Sequence, residues 1–94
     1  MKKVAFLIRT KEEQREGLRS SLGLIIENNE VIMVVLNHEV EMTDDYRESL
    51  GWFIEMEGEI YSDVKANMEK YDFQPVTIEE LGRKLRGMDY IIPF

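Results

Sequence analysis

The chain has 94 residues, with 12 Lys and Arg against 19 Asp and Glu, and its net charge of -7 opposes polyanions and anionic membrane surfaces, so nucleic acid is not expected as a partner. It has no cysteine, which excludes disulfides, thiolate metal sites and cysteine nucleophiles together. At 44% hydrophobic and 33% charged it has the make-up of an ordinary globule, and its length suits one domain, residues 1–94, small enough to gain from association.

Met1, Lys2 and Lys3 lead into an apolar run at 4–8 that is too short for a signal-peptide core, and no run approaches the ~18 apolar residues needed to span a bilayer. A cytoplasmic protein with no membrane contact is the expectation. Residues 4–8 (VAFLI) read as a strand covered on both faces. Thr10 to Glu13 has the form of a capping box, opening a helix whose stripe of Leu18, Ser21, Leu22, Ile25 and Ile26 faces the sheet while Arg15, Glu16 and Arg19 face water. Asn28 and Asn29 end it, since Asn tolerates the left-handed helix exit. Residues 31–36 (VIMVVL) form the longest unbroken apolar strand, so the first part of the chain is a βαβ unit with parallel strands.

A polar loop, Asn37-His38-Glu39-Val40-Glu41, follows. A second helix starts near Thr43 with Asp44 and Asp45 in its first turn, where acids complement the helix dipole. Tyr46, Leu50, Phe53 and Ile54 make its core stripe. Trp52 and Met56 fall outside that stripe and form a second apolar face, the chemistry of an interface centre. Gly58 breaks the helix, and 59–61 make a short third strand. Ser62 and Asp63 occupy the N-cap region of a third helix carrying Val64, Met68 and Tyr71. Pro75 limits 73–76 to a short edge strand. Thr77 to Glu80 is another capping box, opening a last helix with Ile78, Leu81 and Leu85 inward and Gly87 at its end. Residues 90–94 are the final strand. Five strands alternating with four helices give a three-layer α/β/α sandwich around a five-stranded, mostly parallel sheet.

Ligand crevices of open α/β sheets lie past the C-terminal strand ends. That rule selects Arg9 and Thr10, Asn37, His38 and Glu39, and Ser62 and Asp63, all on one rim. Arg9, Thr10, Asn37, His38 and Asp63 are therefore the candidate residues for a small ligand, with Trp52 and Met56 as the candidate interface. The carboxylates Asp44, Asp45 and Glu48 read as dipole complements, so no metal is assigned, and no motif calls for a cofactor. The alternative is a small cofactor-independent enzyme using His38, Asp63 and Arg9.

Four pieces in their order and spacing carry a likeness to a known family: KKVAFLIRT at the start, the helix GLRSSLGLIIENN, the strand EVIMVVL with NHEV after it, and IYSDVKANMEKYDF. Together they span nearly the whole chain, which resembles the DsrE/DsrF-like family, including the TusD-type subunits of sulfur-relay complexes. The resemblance implies a five-stranded parallel sheet between helices, packing as trimers or hexamers, and partners among DsrE-like paralogues. Active members carry persulfide sulfur on a cysteine that follows the third strand, and the matching position is Asp63. A carboxylate cannot hold a persulfide, so the resemblance implies a subunit without carrier activity that serves as an oligomeric assembly, regulatory or ligand-binding module. His38-Glu39 also replaces a small Asp-Gly turn frequent in the family.

Overall fold

A computed structural model describes residues 1–94. The two apolar runs are neighbouring strands, β1 (Lys3–Ile8) and β2 (Glu30–Val35), in parallel register from Lys3 opposite Glu30 to Ile8 opposite Val35. Helix α1 (Gln14–Ile26) connects them, preceded by a 3-10 turn at Lys11–Glu13. Helix α2 (Asp44–Glu55) leads to β3 (Glu59–Ser62), α3 (Lys65–Tyr71) to β4 (Gln74–Pro75), and α4 (Ile78–Arg86) to β5 (Tyr90–Pro93). The sheet order is β4-β3-β2-β1-β5, and every pairing is parallel.

This order sets the layers. The chain steps outward from β1 through β4 and then returns past three strands to place β5 on the other side of β1. With right-handed crossovers, reversal of direction moves the connecting helix to the opposite face. Accordingly Val4, Phe6, Ile8, Met33 and Val35 pack with Leu18 and Ile25 of α1 and Leu50 and Phe53 of α2. Ala5, Ile32, Val34 and Tyr61 pack with Leu81 of α4. Alternate residues of β1 and β2 are thus buried on both sides, which is why these strands read as unbroken apolar runs. The result is an α/β/α sandwich with α1, α2 and α3 on one face, where Tyr71 of α3 joins the same cluster, and α4 alone on the other.

Several local signals operate as read. Thr77 Oγ1 accepts from the Glu80 amide at 3.1 Å and Glu80 Oε1 accepts from the Thr77 amide at 3.0 Å, a complete capping box. Those hydrogen bonds hold the Glu80 carboxyl below its usual range. Thr43 Oγ1 caps α2 by accepting from the Tyr46 amide, Asn28 takes the left-handed conformation after α1 at φ 67°, and Gly87 is the C-cap of α4.

Others are corrected. The Thr10 box does not form: the chain enters through a 3-10 turn held by the Glu13 amide donating to the Thr10 carbonyl, with no side-chain cap. Ile26 is 61% exposed and Ile54 is half-exposed, because each follows a buried residue, Ile25 or Phe53, and is turned about 100° from it. Ile78 is 86% exposed, at the first position of α4, where the two-residue β4 supplies no sheet to lie on. After α2 the left-handed residue is Glu57, at φ 70°, and Gly58 keeps a negative φ. Gly58 is required for a different reason, since a Cβ there would collide with the Phe53 ring.

Candidate functional site at the sheet rim

Parallel pairing brings the C-terminal ends of all strands to one rim, so Arg9, Asn37 with His38, and Ser62 with Asp63 follow neighbouring strands there. The loop between β2 and α2 crosses this rim and is pinned by side chains from both flanks.

On one flank is Asn67 of α3, 0% exposed. Its Oδ1 accepts from the Val40 amide at 2.8 Å, and its Nδ2 donates to the His38 carbonyl and to Ser62 Oγ, each at 3.0 Å. Ser62 Oγ in turn donates to the Val35 carbonyl at 2.8 Å and accepts from the Val64 amide at 3.0 Å. A fully buried amide and hydroxyl thus satisfy one another and four backbone groups, one in β2, two in the rim loop and one at the start of α3, as buried polar groups must. At the loop's surface, Lys70 Nζ donates to Glu39 Oε2 at 3.1 Å, and this contact raises the lysine pKa.

On the other flank Gln14, buried at the start of α1, donates from Nε2 to the Glu41 carbonyl at 2.7 Å and accepts at Oε1 from the Glu41 amide at 3.0 Å. Neither amide stands out in composition, yet each lies on its helix's apolar stripe. Gln14 is four residues before Leu18, and Asn67 falls between Val64 and Tyr71. A polar residue in phase with an apolar stripe is the signal that would have found both.

The selected residues take the following places. Asp63 does not cap α3, whose N-cap is Val64 without a side-chain bond. Its Oδ1 instead accepts from the Asn37 amide at 3.0 Å, tying the end of β3 to the residue after β2. Asn37 is left-handed at φ 68°, a turn that Asn accommodates and branched residues resist. At the same corner the Val64 amide donates to Ser62 Oγ.

His38 Nδ1 donates to the Leu36 carbonyl at 2.9 Å. That bond fixes the tautomer and leaves Nε2 as an acceptor, which is buried without a partner. Arg9 extends toward β5: its backbone amide and Nε both donate to the Phe94 carbonyl, at 3.1 and 3.3 Å. Thr10 is exposed and makes no cap bond. The structure therefore joins Asp63 directly to Asn37, places His38 beside them, and engages Arg9 on the opposite neighbour of β1. No three His, Asp or Glu side chains converge as metal ligands, and no helix is long and apolar enough to cross a membrane. Trp52 and Met56 stand 49% and 45% exposed on α2.

Neither a family model, nor a curated protein, nor a solved structure matches the chain.

Proposed function

We propose that the chain is a non-catalytic DsrE/DsrF-like subunit, an assembly module of cytoplasmic sulfur-relay type that carries no sulfur itself. The observation that carries this reading is the 3.0 Å bond from the Asn37 amide to Asp63 Oδ1. At the position where the resemblance requires a persulfide cysteine, directly after β3, the chain has an exposed carboxylate that fastens the neighbouring loop. The rim offers no reactive set in its place. Arg9, Asp63 and the Nδ1 of His38 are each engaged by backbone groups, so the alternative of a cofactor-independent enzyme has less to work with. A small ligand bound at this rim is part of the same reading, and it would reach the buried His38 Nε2 only if the loop that carries it shifted. The exposed apolar pair Trp52 and Met56 supports the assembly role, with cysteine-bearing paralogues or further copies of this chain as partners.

Sulfur loading tests the reading. Incubated with a persulfide donor, the wild-type chain should gain no mass, whereas Asp63→Cys, at an exposed position, should gain one sulfur atom. Tagged wild-type protein drawn from native lysate should bring with it a partner whose own cysteine loads in the same assay. Absence of such a partner, together with a substrate turnover that His38→Ala abolishes, would replace this reading with the enzymatic one.

A further inference from the structure

A concavity lies between α1 and α2, running down from the Gln14–Glu41 contact of the rim loop. This groove, about 590 Å³, has Leu18, Leu22 and Tyr46 along its floor. Its α1 wall carries Lys11, Arg15 and Arg19, and its α2 side carries Glu41, Asp45 and Glu48. One wall is thus basic and the other acidic. Only Lys11 and Glu41 pair across it, at 3.6 Å, and Arg19 pairs with Glu16 of its own helix at 3.7 Å. Arg15, Asp45 and Glu48 have no ion-pair partner in the chain.

Three of the exposed apolar residues continue the two helix flanks that wall this groove, whereas Met1, Ile54, Ile78, Tyr90 and Ile91 are exposed elsewhere. On α1, Ile26 shares within roughly 40° the flank of Arg15, Arg19 and Leu22, and on α2, Trp52 and Met56 share that of Asp45, Glu48 and Ser49. Ile26 is 61% exposed, Trp52 49% and Met56 45%, and they lie past Leu22 and Ser49 toward the helix ends. The surface therefore has a bipolar upper half and an apolar lower half.

We infer that a second copy of this chain docks on this groove, about a two-fold axis running along it. The inference rests on the assembly reading above and names the partner and the face. Because β1, β2 and β3 are parallel, α1 and α2 run in the same direction. A two-fold parallel to both helices places α1 of one protomer over α2 of the other with residue levels preserved. The basic wall of each protomer then faces the acidic wall of its partner, twice over, as an isologous interface requires. Ile26 of each copy approaches Trp52 and Met56 of the other. An axis across the groove would instead stack like charges. The net charge of -7 opposes association at a distance, but beyond about 8 Å it is screened at physiological salt while contact pairs are not.

Charge exchange tests this with the intact chain, at physiological ionic strength, by sedimentation equilibrium and by the emission of the single Trp52. The variants are Arg15→Glu with Arg19→Glu, and Asp45→Lys with Glu48→Lys, all at exposed positions. Wild type should dimerise with a blue shift of Trp52. Each reversed variant should raise the dissociation constant at least about tenfold, and the two mixed together should form a heterodimer, with circular dichroism reporting an unchanged fold. A chain carrying all four substitutions should dimerise again with itself. Reversed variants that dimerise like wild type would overturn the groove interface and leave assembly through another face. A wild type that stays monomeric at millimolar concentration yet recovers a paralogue from lysate would overturn self-docking and leave the assembly reading intact. Reversed variants that remain monomeric when mixed would overturn the two-fold pairing.

Discussion

Gln14 reads the backbone of Glu41 in both senses, its amide nitrogen donating to the carbonyl at 2.7 Å and its oxygen accepting from the amide at 3.0 Å. A side chain of the first helix thereby takes the place of a neighbouring strand for a residue in the rim loop. Asn67 does the same from the third helix, but with no solvent to replace it. Truncation should therefore cost unequally: Gln14→Ala roughly 1–2 kcal/mol, and Asn67→Ala about 2–4 kcal/mol, since Asn67 leaves the Val40 amide and the His38 carbonyl unpaired in the interior. Asn67→Asp should also destabilise, because a carboxylate cannot donate to the His38 carbonyl. Urea denaturation of the three variants decides the order.

Asp63 serves as an acceptor, so its size and its oxygen matter more than its charge. Asp63→Asn should melt close to wild type, and Asp63→Ala should lose about 1 kcal/mol. Its donor is held by the left-handed Asn37. Asn37→Gly should be neutral or slightly stabilising, while Asn37→Val should be destabilising by about 1 kcal/mol or more. Thermal melts of these variants would show a different pattern if Asp63 acted through its charge, with Asn as damaging as Ala.

Tyr46 packs its ring in the core beneath the groove, and its hydroxyl is buried with no partner. Removing that oxygen relieves an unsatisfied group, so Tyr46→Phe should stabilise the protein by about 1 kcal/mol. Burial also pushes the phenol well above its ordinary range. The folded state therefore holds this proton more tightly than the unfolded chain. Stability is indifferent to Tyr46 below about pH 10, and falls as the pH rises from there toward the folded value. Alkaline unfolding followed by circular dichroism should begin at higher pH in Tyr46→Phe than in wild type.

Two glycines are needed for space. A Cβ at Gly17 would strike the Ile8 side chain, and one at Gly58 would strike the Phe53 ring. Both Gly17→Ala and Gly58→Ala should destabilise by about 1–3 kcal/mol despite the better helix propensity of Ala at position 17. Gly23→Ala, with open space around it, should stabilise by up to about 1 kcal/mol. Melting temperatures in the opposite order would mean that the Ile8 and Phe53 side chains yield without strain.

The architecture was legible because its signals are collective. Six consecutive apolar residues at 31–36 need cover on both faces whatever their neighbours do, and Thr77 with Glu80 forms its box from four consecutive residues. The failures are of single positions. Thr10 offers the same box on paper, but the turn there winds as 3-10 and the hydroxyl has no amide to receive. Ile26 and Ile54 look like core because they adjoin core residues, and only the helical phase set by Leu18 or Phe53 turns them outward. At the rim, chain order gave the places of Arg9, Asn37, His38 and Asp63. Except for His38, which bonds the Leu36 carbonyl two residues away, their roles depend on hydrogen bonds across 26 or more residues, Asp63 to Asn37 and Arg9 to Phe94, and such partners have no local trace.

The position of β5 bears on how the protein is made. Its partner is β1, and the Lys3 amide is held by Asp89, a separation of 86 residues. While the chain leaves the ribosome, β1, β2 and β3 can pair in turn, but the free edge of β1, with its run of Val4, Ala5, Phe6 and Leu7, stays open until β5 has been synthesised. An uncovered apolar edge on a strand that ends up inside the sheet is a template for pairing between nascent chains. Slow translation of the segment from α4 to β5 should therefore lower the soluble yield more than an equal delay earlier in the message.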